Sequence, residues 1–208
     1  ILTHYPETVE IAKIITAQEA RLDERLKERV YVPELAKDLL EELSFQARES
    51  AYVDVKSGVS ARLRITAYEN LLSTAERRLL KTEDQKTSVR LSDFMGVIPS
   101  ITGKIELVYE GEQEGSAAVA MMLLTGATKH IFTTLFPKIE KLQKADDEDP
   151  YQDLVAWFFE ESKFELLDHY NNDTYEEHLD SILPLQQLID RYQPEYPKED
   201  IYFLKEFV

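Results

Sequence analysis

Residues 63–79 read Leu63-Arg64-Ile65-Thr66-Ala67-Tyr68-Glu69-Asn70-Leu71-Leu72-Ser73-Thr74-Ala75-Glu76-Arg77-Arg78-Leu79. Leu63, Ala67, Leu71, Ala75 and Leu79 recur at every fourth position, a spacing that places them on one side of an α-helix and the charges on the other. The pattern continues in both directions. After Pro33, Leu35, Leu39, Leu40, Leu43 and Ala47 mark a preceding helix. Before it, Pro6 with Glu7 and Glu10 supplies a helix start. Val9, Ile11, Ile14, Ile15 and Leu22 then carry a stripe, so a first helix is expected over residues 6–29. Downstream, residues 115–136 are rich in Ala, Met and Leu, and Pro137 stops that helix. Residues 151–164 form an aromatic helix with Trp157, Phe158 and Phe159. Residues 173–192 and 198–208 complete the chain. With only six glycines in 208 residues, the reading is all-α.

The breaks fall at 52–60, around Gly58, and at the polar stretch 81–90, which reads as a loop. Ser92 and Asp93 then look like the cap of a short helix ending near Pro99. Residues 103–111 are ambiguous: Ile105, Leu107 and Tyr109 alternate like a strand, but the helical neighbours favour a helix. Gly126 inside a helix costs about 1 kcal/mol relative to Ala unless close packing needs it. The acidic stretch 145–150 is the best candidate for a linker.

Forty acidic residues against twenty-four basic ones give a formal charge of -16. Such a surface repels phosphate backbones and anionic lipid, so neither nucleic acid nor a membrane is expected as a partner. The absence of cysteine removes disulfides, thiolate nucleophiles and the usual structural zinc sites, and suits a cytoplasmic protein. The longest apolar runs, 119–124 and 154–159, are short, and neither a membrane span nor a signal peptide is read.

A P-loop needs two glycines, a lysine and a hydroxyl at fixed spacing to wrap phosphates and hold magnesium. Around Gly103-Lys104, Ile98 stands where the first glycine belongs and Ile105 where the hydroxyl belongs. Asp168, His169, Asp173, Glu177 and His178 offer metal-ligand chemistry within a short span, but in so acidic a chain they read as a solvated helix end. The Asn172-Asp173-Thr174 sequon carries no weight without a secretory signal. The aromatic stripe at Trp157 to Phe159 reads as core or as a seam against a partner helix.

One placement is physically odd. Ser60 resembles an N-cap, and Arg62 and Arg64 follow in the first turn, where the helix dipole disfavours positive charge. An anion nearby would account for it, as would pairing of Arg62 with a surface acid. The run Ser57-Gly58-Val59-Ser60-Ala61-Arg62-Leu63 resembles the sensor 2 motif of the MoxR and magnesium-chelatase-like branch of AAA+ ATPases, in which Gly-x-Ser-x-Arg opens a helix of the lid domain. Thr3-His4-Tyr5-Pro6 is similar to the Tyr-Pro hinge that leads into the lid. Tyr68-Glu69-Asn70, Ala75-Glu76-Arg77-Arg78, Arg90-Leu91-Ser92-Asp93 and the stretch from Pro99 to Leu107 resemble further motifs of proteins of the magnesium chelatase, subunit I type.

The resemblance implies an AAA+ lid bundle over residues 1–80 and a helical C-terminal extension over 81–208. It also implies that the chain is part of a longer polypeptide, with an N-terminal core domain that carries the P-loop and the arginine finger. ATP and Mg2+ would be cofactors of that whole protein, a homo-oligomeric ring acting on a protein client, and the isolated chain would not be catalytic. Within this sequence the resemblance assigns Arg62 to the terminal phosphate as the catalytic arginine and places Tyr5, Pro6 and Arg62 at the nucleotide. Arg64, two residues on, reads as a salt-bridge partner. The alternative is an acidic helical adaptor without a nucleotide role that docks a protein partner through Trp157 to Phe159.

Overall fold

The computed structural model describes residues 4–60, 62–139, 149–161 and 163–208. The fold is all-α, with eleven α-helices among the described residues and a single two-stranded pairing. At its centre lie α3 (Glu34–Glu49) and α4 (Arg62–Thr82). The stripe Leu63, Ala67, Leu71, Ala75 and Leu79 is completely buried, and Leu39, Leu43 and Ala47 of α3 face it with no exposure.

The expected first helix is two. Helix α1 (Val9–Glu19) starts at Thr8, whose hydroxyl accepts from Ile11 N, and ends at Ala20 in extended backbone. Arg21 N then donates to the Glu69 carboxylate on α4 at 2.8 Å. Asp23 accepts from Arg25 N and restarts the chain as α2 (Glu24–Arg29). Two side chains thus compete with the backbone for the N–H groups that a continuous helix would use.

Past α4 the expected loop at 81–90 contains a strand. There β2 (Thr87–Ser88) runs parallel to β1 (Val30–Tyr31), with Val30 opposite Thr87. A 3-10 helix follows (Leu91–Val97), then α5 (Ile98–Thr102). Asp93 closes a capping box with Arg90 at the start of that 3-10 helix. Residues 103–108 are not helical, contrary to expectation. Ile105 and Leu107 form antiparallel bridges with Val59 and Val53, and Asp54 N donates to Glu106 O at 2.8 Å. The alternating pattern won because the extended 53–59 turn supplies a backbone partner.

Helix α6 (Tyr109–Glu114) ends at Gly115, whose φ of 90° makes the corner into α7 (Ser116–Leu135). By length and composition α7 could cross a bilayer. Here it packs against α3 and α5 and buries Val119, Ala120, Leu123, Leu124, Ala127 and Ile131. Gly126 sits where a Cβ would meet Gln46 Oε1 of α3 at 3.3 Å, the close approach that makes a mid-helix glycine useful.

Of the expected linker 145–150, residues 145–148 lie outside the described residues. Helix α8 (Gln152–Glu160) buries none of its residues fully, and Phe159 is 82% exposed. The core reading of Trp157 to Phe159 is therefore corrected. Trp157 is half-buried and meets Phe164 edge-on, while Val155, Phe158 and Phe159 face outward. The single helix expected over 173–192 is α9 (Asn172–Asp180) and α10 (Leu183–Tyr192). Pro184 lacks the N–H that a continuous helix would donate, so the ladder breaks before it.

The last segment returns to the centre through a 3-10 turn (Lys198–Asp200) and α11 (Ile201–Phe207). Asp200 accepts from Glu34 N (3.1 Å) and Tyr31 Oη (2.7 Å), capping α3 where Pro33 has no side chain to do so. Glu206 accepts from the N–H groups of Leu91 and Ser92. Phe203, Leu204 and Phe207 join the same apolar cluster as Leu39 and Leu79, so one core spans residue 80.

Candidate functional site

The turn before α4 is built by Asp54 and Gly58. Asp54 accepts from Lys56 N, Ser57 N and Ser57 Oγ, bonds that hold its carboxyl below the usual carboxylate range. Gly58 then takes φ of 69°, the left-handed region that glycine enters freely. A Cβ there would also lie 2.8 Å from Tyr5 Oη. Val59 N donates to that Tyr5 oxygen (3.2 Å), and Ser60 N donates to Lys104 O (3.3 Å). The Ser60 hydroxyl accepts from Arg62 N at 3.3 Å, the capping contact expected of it.

Of the three residues assigned to the nucleotide, the structure thus joins Tyr5 to the Gly58–Val59 peptide a few residues ahead of Arg62. Pro6 is buried beside Tyr5 at the entrance to α1. Arg62 is exposed on the first turn of α4, and its guanidinium makes no ion pair or hydrogen bond among the described residues. The pairing of Arg62 with a surface acid is not observed.

Arg64 points inward. It is 3% exposed, and its Nε stands 3.8 Å from Glu41 Oε2, with Glu41 itself 1% exposed. Thr16 Oγ1 donates to the other Glu41 oxygen at 2.5 Å. Burial pushes the Glu41 carboxyl above its ordinary value, more than Thr16 and the neighbouring arginines pull it down. Arg48, from the last turn of α3, lies 4.4 Å over the Tyr5 ring and 4.7 Å over Phe45. Its guanidinium is held below its usual value, first by burial and then by the like charge of Arg64. The Nε atoms of both Arg48 and Arg64 are buried without an acceptor. Arg48 and Arg64 thus lie close enough to repel each other beside the Glu41 carboxylate, while Arg62 stands exposed on the same first turn of α4, at its positive end.

Arg48, Glu41 and Thr16 escaped the sequence reading. Arg48 is one position past the apolar stripe of α3, and Glu41 sits between stripe positions, so neither departs from an ordinary amphipathic pattern. The available signal was the pair Arg62 and Arg64, two residues apart and so on different faces, of which one had to turn inward.

Within the acidic stretch 168–178, His178 and the neighbouring Asn172 have structural contacts. His178 Nδ1 bonds to Thr174 O (2.8 Å). Asn172 clamps α9 to the strand pair, accepting from Thr87 Oγ1 and donating to Lys86 O. Among the described residues, no group of three or more His, Cys, Asp or Glu side chains is placed to hold a metal ion. Comparison of the chain with models of protein families, with curated proteins and with solved structures finds no match.

Proposed function

We propose that the chain is the lid and C-terminal helical part of an ATP-driven motor of the MoxR and magnesium-chelatase-like AAA+ kind, and that Arg62 meets the terminal phosphate of ATP held by a core domain preceding Ile1. One observation carries this reading: the Arg62 guanidinium is exposed, and among the described residues unpaired, at a helix start whose dipole opposes it. A free planar guanidinium suits phosphate oxygens, and its contribution grows as negative charge shifts during transfer. Tyr5 braces the turn that presents it, and Ser60 fixes the first N–H of the helix. Among the described residues no group of three or more His, Cys, Asp or Glu side chains is placed to hold Mg2+, and in this reading its ligands would come from the core domain. Full-length protein carrying Arg62→Ala should keep its melting temperature and lose about 2–4 kcal/mol of transition-state stabilisation, read as steady-state ATPase rate. Arg62→Lys should recover only part, since an ammonium lacks the planar fork. Wild-type turnover in Arg62→Ala overturns the assignment.

A second reading rests on α8. Val155, Phe158 and Phe159 are 48%, 44% and 82% exposed on one short helix, more apolar surface than a free helix face ordinarily carries. In that reading the chain is an adaptor that docks a protein partner there, with no nucleotide role. Sedimentation of the chain with and without Phe158→Ser/Phe159→Ser separates the two: wild-type association abolished by the double change, with Arg62→Ala silent in every assay, supports the adaptor.

A further inference from the structure

At the opposite end of α4, about fifteen residues and roughly 22 Å along the helix from Arg62, a cavity of about 400 Å³ opens between α4, the 3-10 helix Leu91–Val97 and the Asp168–His169 turn. Its α4 wall presents Arg77, Arg78 and Lys81. Arg78 is spent on structure. Its guanidinium donates to both Asp93 oxygens (3.3 and 2.8 Å), to Thr87 Oγ1 (2.7 Å) and to Ser88 O (2.7 Å), and it is 6% exposed. The Arg78–Asp93 pair is thus a neutral, fixed floor.

Arg77 and Lys81 are not spent. Both are exposed, one helical turn apart on the same face, and neither forms an ion pair or hydrogen bond among the described residues. His169 adds a ring nitrogen on the facing wall, its ring set edge-on against Tyr170 at 5.5 Å. Among the described lining residues, Asp168 is the one acid that opposes them, since Asp93 is held by Arg78. The walls are held close, for a Cβ on Gly96 would lie 1.9 Å from Thr74 Oγ1. Met95, 55% exposed, lends an apolar edge to the same cavity. Two unpaired cations facing one concavity, on a chain whose net charge is -16, call for an anion of small size. The fork of Arg77 with the point charge of Lys81 matches a phosphate better than a single carboxylate.

We propose that this cavity binds a small organic phosphate, its dianionic end between Arg77 and Lys81 and its organic body against Met95 and His169. The assignment does not depend on the proposed role of Arg62. Calorimetric titration of the chain with glycerol phosphate is the test, with inorganic phosphate and succinate as comparison ligands. Glycerol phosphate should bind saturably and more tightly than either. Arg77→Ala/Lys81→Ala should weaken it by about tenfold or more, one decade being about 1.4 kcal/mol. Asp168→Asn, which removes the one opposing charge, should tighten it, and Lys56→Ala on the distant turn should change nothing. The proposal is overturned by an absence of saturable binding, by binding that survives the Arg77→Ala/Lys81→Ala change, or by equal affinity for succinate. Equal affinity for inorganic phosphate would remove the organic body from it.

Discussion

The hydroxyl of Tyr175 donates to the Glu206 carboxylate at 2.8 Å, and that carboxylate also accepts from Leu91 N at 2.6 Å and Ser92 N at 3.2 Å. One half-buried acid on the last helix therefore caps the 3-10 helix and anchors α9. Burial pushes the Glu206 carboxyl above its ordinary value of 4.5, although all three donors pull the other way.

The raised value fixes a sign. A folded-state value above the unfolded one means that the folded protein holds the proton longer, so the contribution is full below about 4.5 and is lost as pH rises through the folded value. Glu206→Gln keeps an acceptor and removes the titration. Urea midpoints measured from pH 4.5 upward should therefore shift in favour of Glu206→Gln relative to wild type as pH rises. Glu41, also raised, is common to both proteins and cancels. Glu206→Ala should cost about 1–3 kcal/mol at every pH, because the buried Tyr175 hydroxyl and two half-buried N–H groups lose their acceptor. A wild-type advantage that grows with pH would contradict the sign.

Gly96 is expected to be irreplaceable for steric reasons alone, since no left-handed φ is involved. Gly96→Ala drives a methyl into Thr74 Oγ1 and should cost about 1–3 kcal/mol. Thr74→Ala removes the nearest atom and should restore most of that loss in the double variant, a coupling visible in denaturant unfolding of the four proteins. Simple addition of the two effects would show that the contact is not what limits this position.

Asp200 caps α3 from 166 residues away in sequence. Asp200→Ala should cost about 0.5–2 kcal/mol, in the range of a lost helix cap, and amide exchange should quicken at Glu34 and Leu35 before it does in the centre of α3. Unchanged exchange there would mean that water replaces the carboxylate without loss.

The stripe from Leu63 to Leu79 was legible because a period of four over seventeen residues has one interpretation, and every member is buried. Helix ends were less so. The break after Ala20 depends on Glu69, forty-eight residues from Arg21, and the strand at Thr87 exists only because Val30 lies beside it. Local patterns carry no record of such partners. The site divides in the same way. Tyr5, Gly58, Ser60 and Arg62 stood out as glycine, cap and misplaced charge, whereas Arg48 and Glu41 acquire meaning only when α3 is laid against α4. Phe159 misled because an aromatic at helical spacing has the same pattern on a core face and on an exposed one.

Arg62 and Arg64 provide the sharpest contrast, two arginines of one helical turn with opposite surroundings. Arg62 is exposed and unpaired, so Arg62→Ala in this chain should alter unfolding free energy by no more than about 0.5 kcal/mol, and removing a charge that opposes the dipole should make the change neutral or slightly stabilising. Arg64 is buried against Glu41, and breaking a buried pair by removing one partner costs about 3–5 kcal/mol. Two features of this site lower the expectation towards the bottom of that range. The 3.8 Å separation is long for a bonded pair, and a Glu41 carboxyl already pushed upward by burial can take a proton when its partner goes. Arg64→Met should therefore destabilise at neutral pH and regain stability as pH falls, since protonation then removes the uncompensated charge. Arg64→Met/Glu41→Leu should recover most of the loss even at neutral pH, because an apolar pair of similar volume avoids both desolvation costs. Chemical denaturation of these variants and of Arg62→Ala, at neutral and mildly acidic pH, measures all of it. An Arg62→Ala chain as unstable as Arg64→Met would mean that Arg62 serves the fold, and would withdraw the observation on which its assignment to phosphate rests.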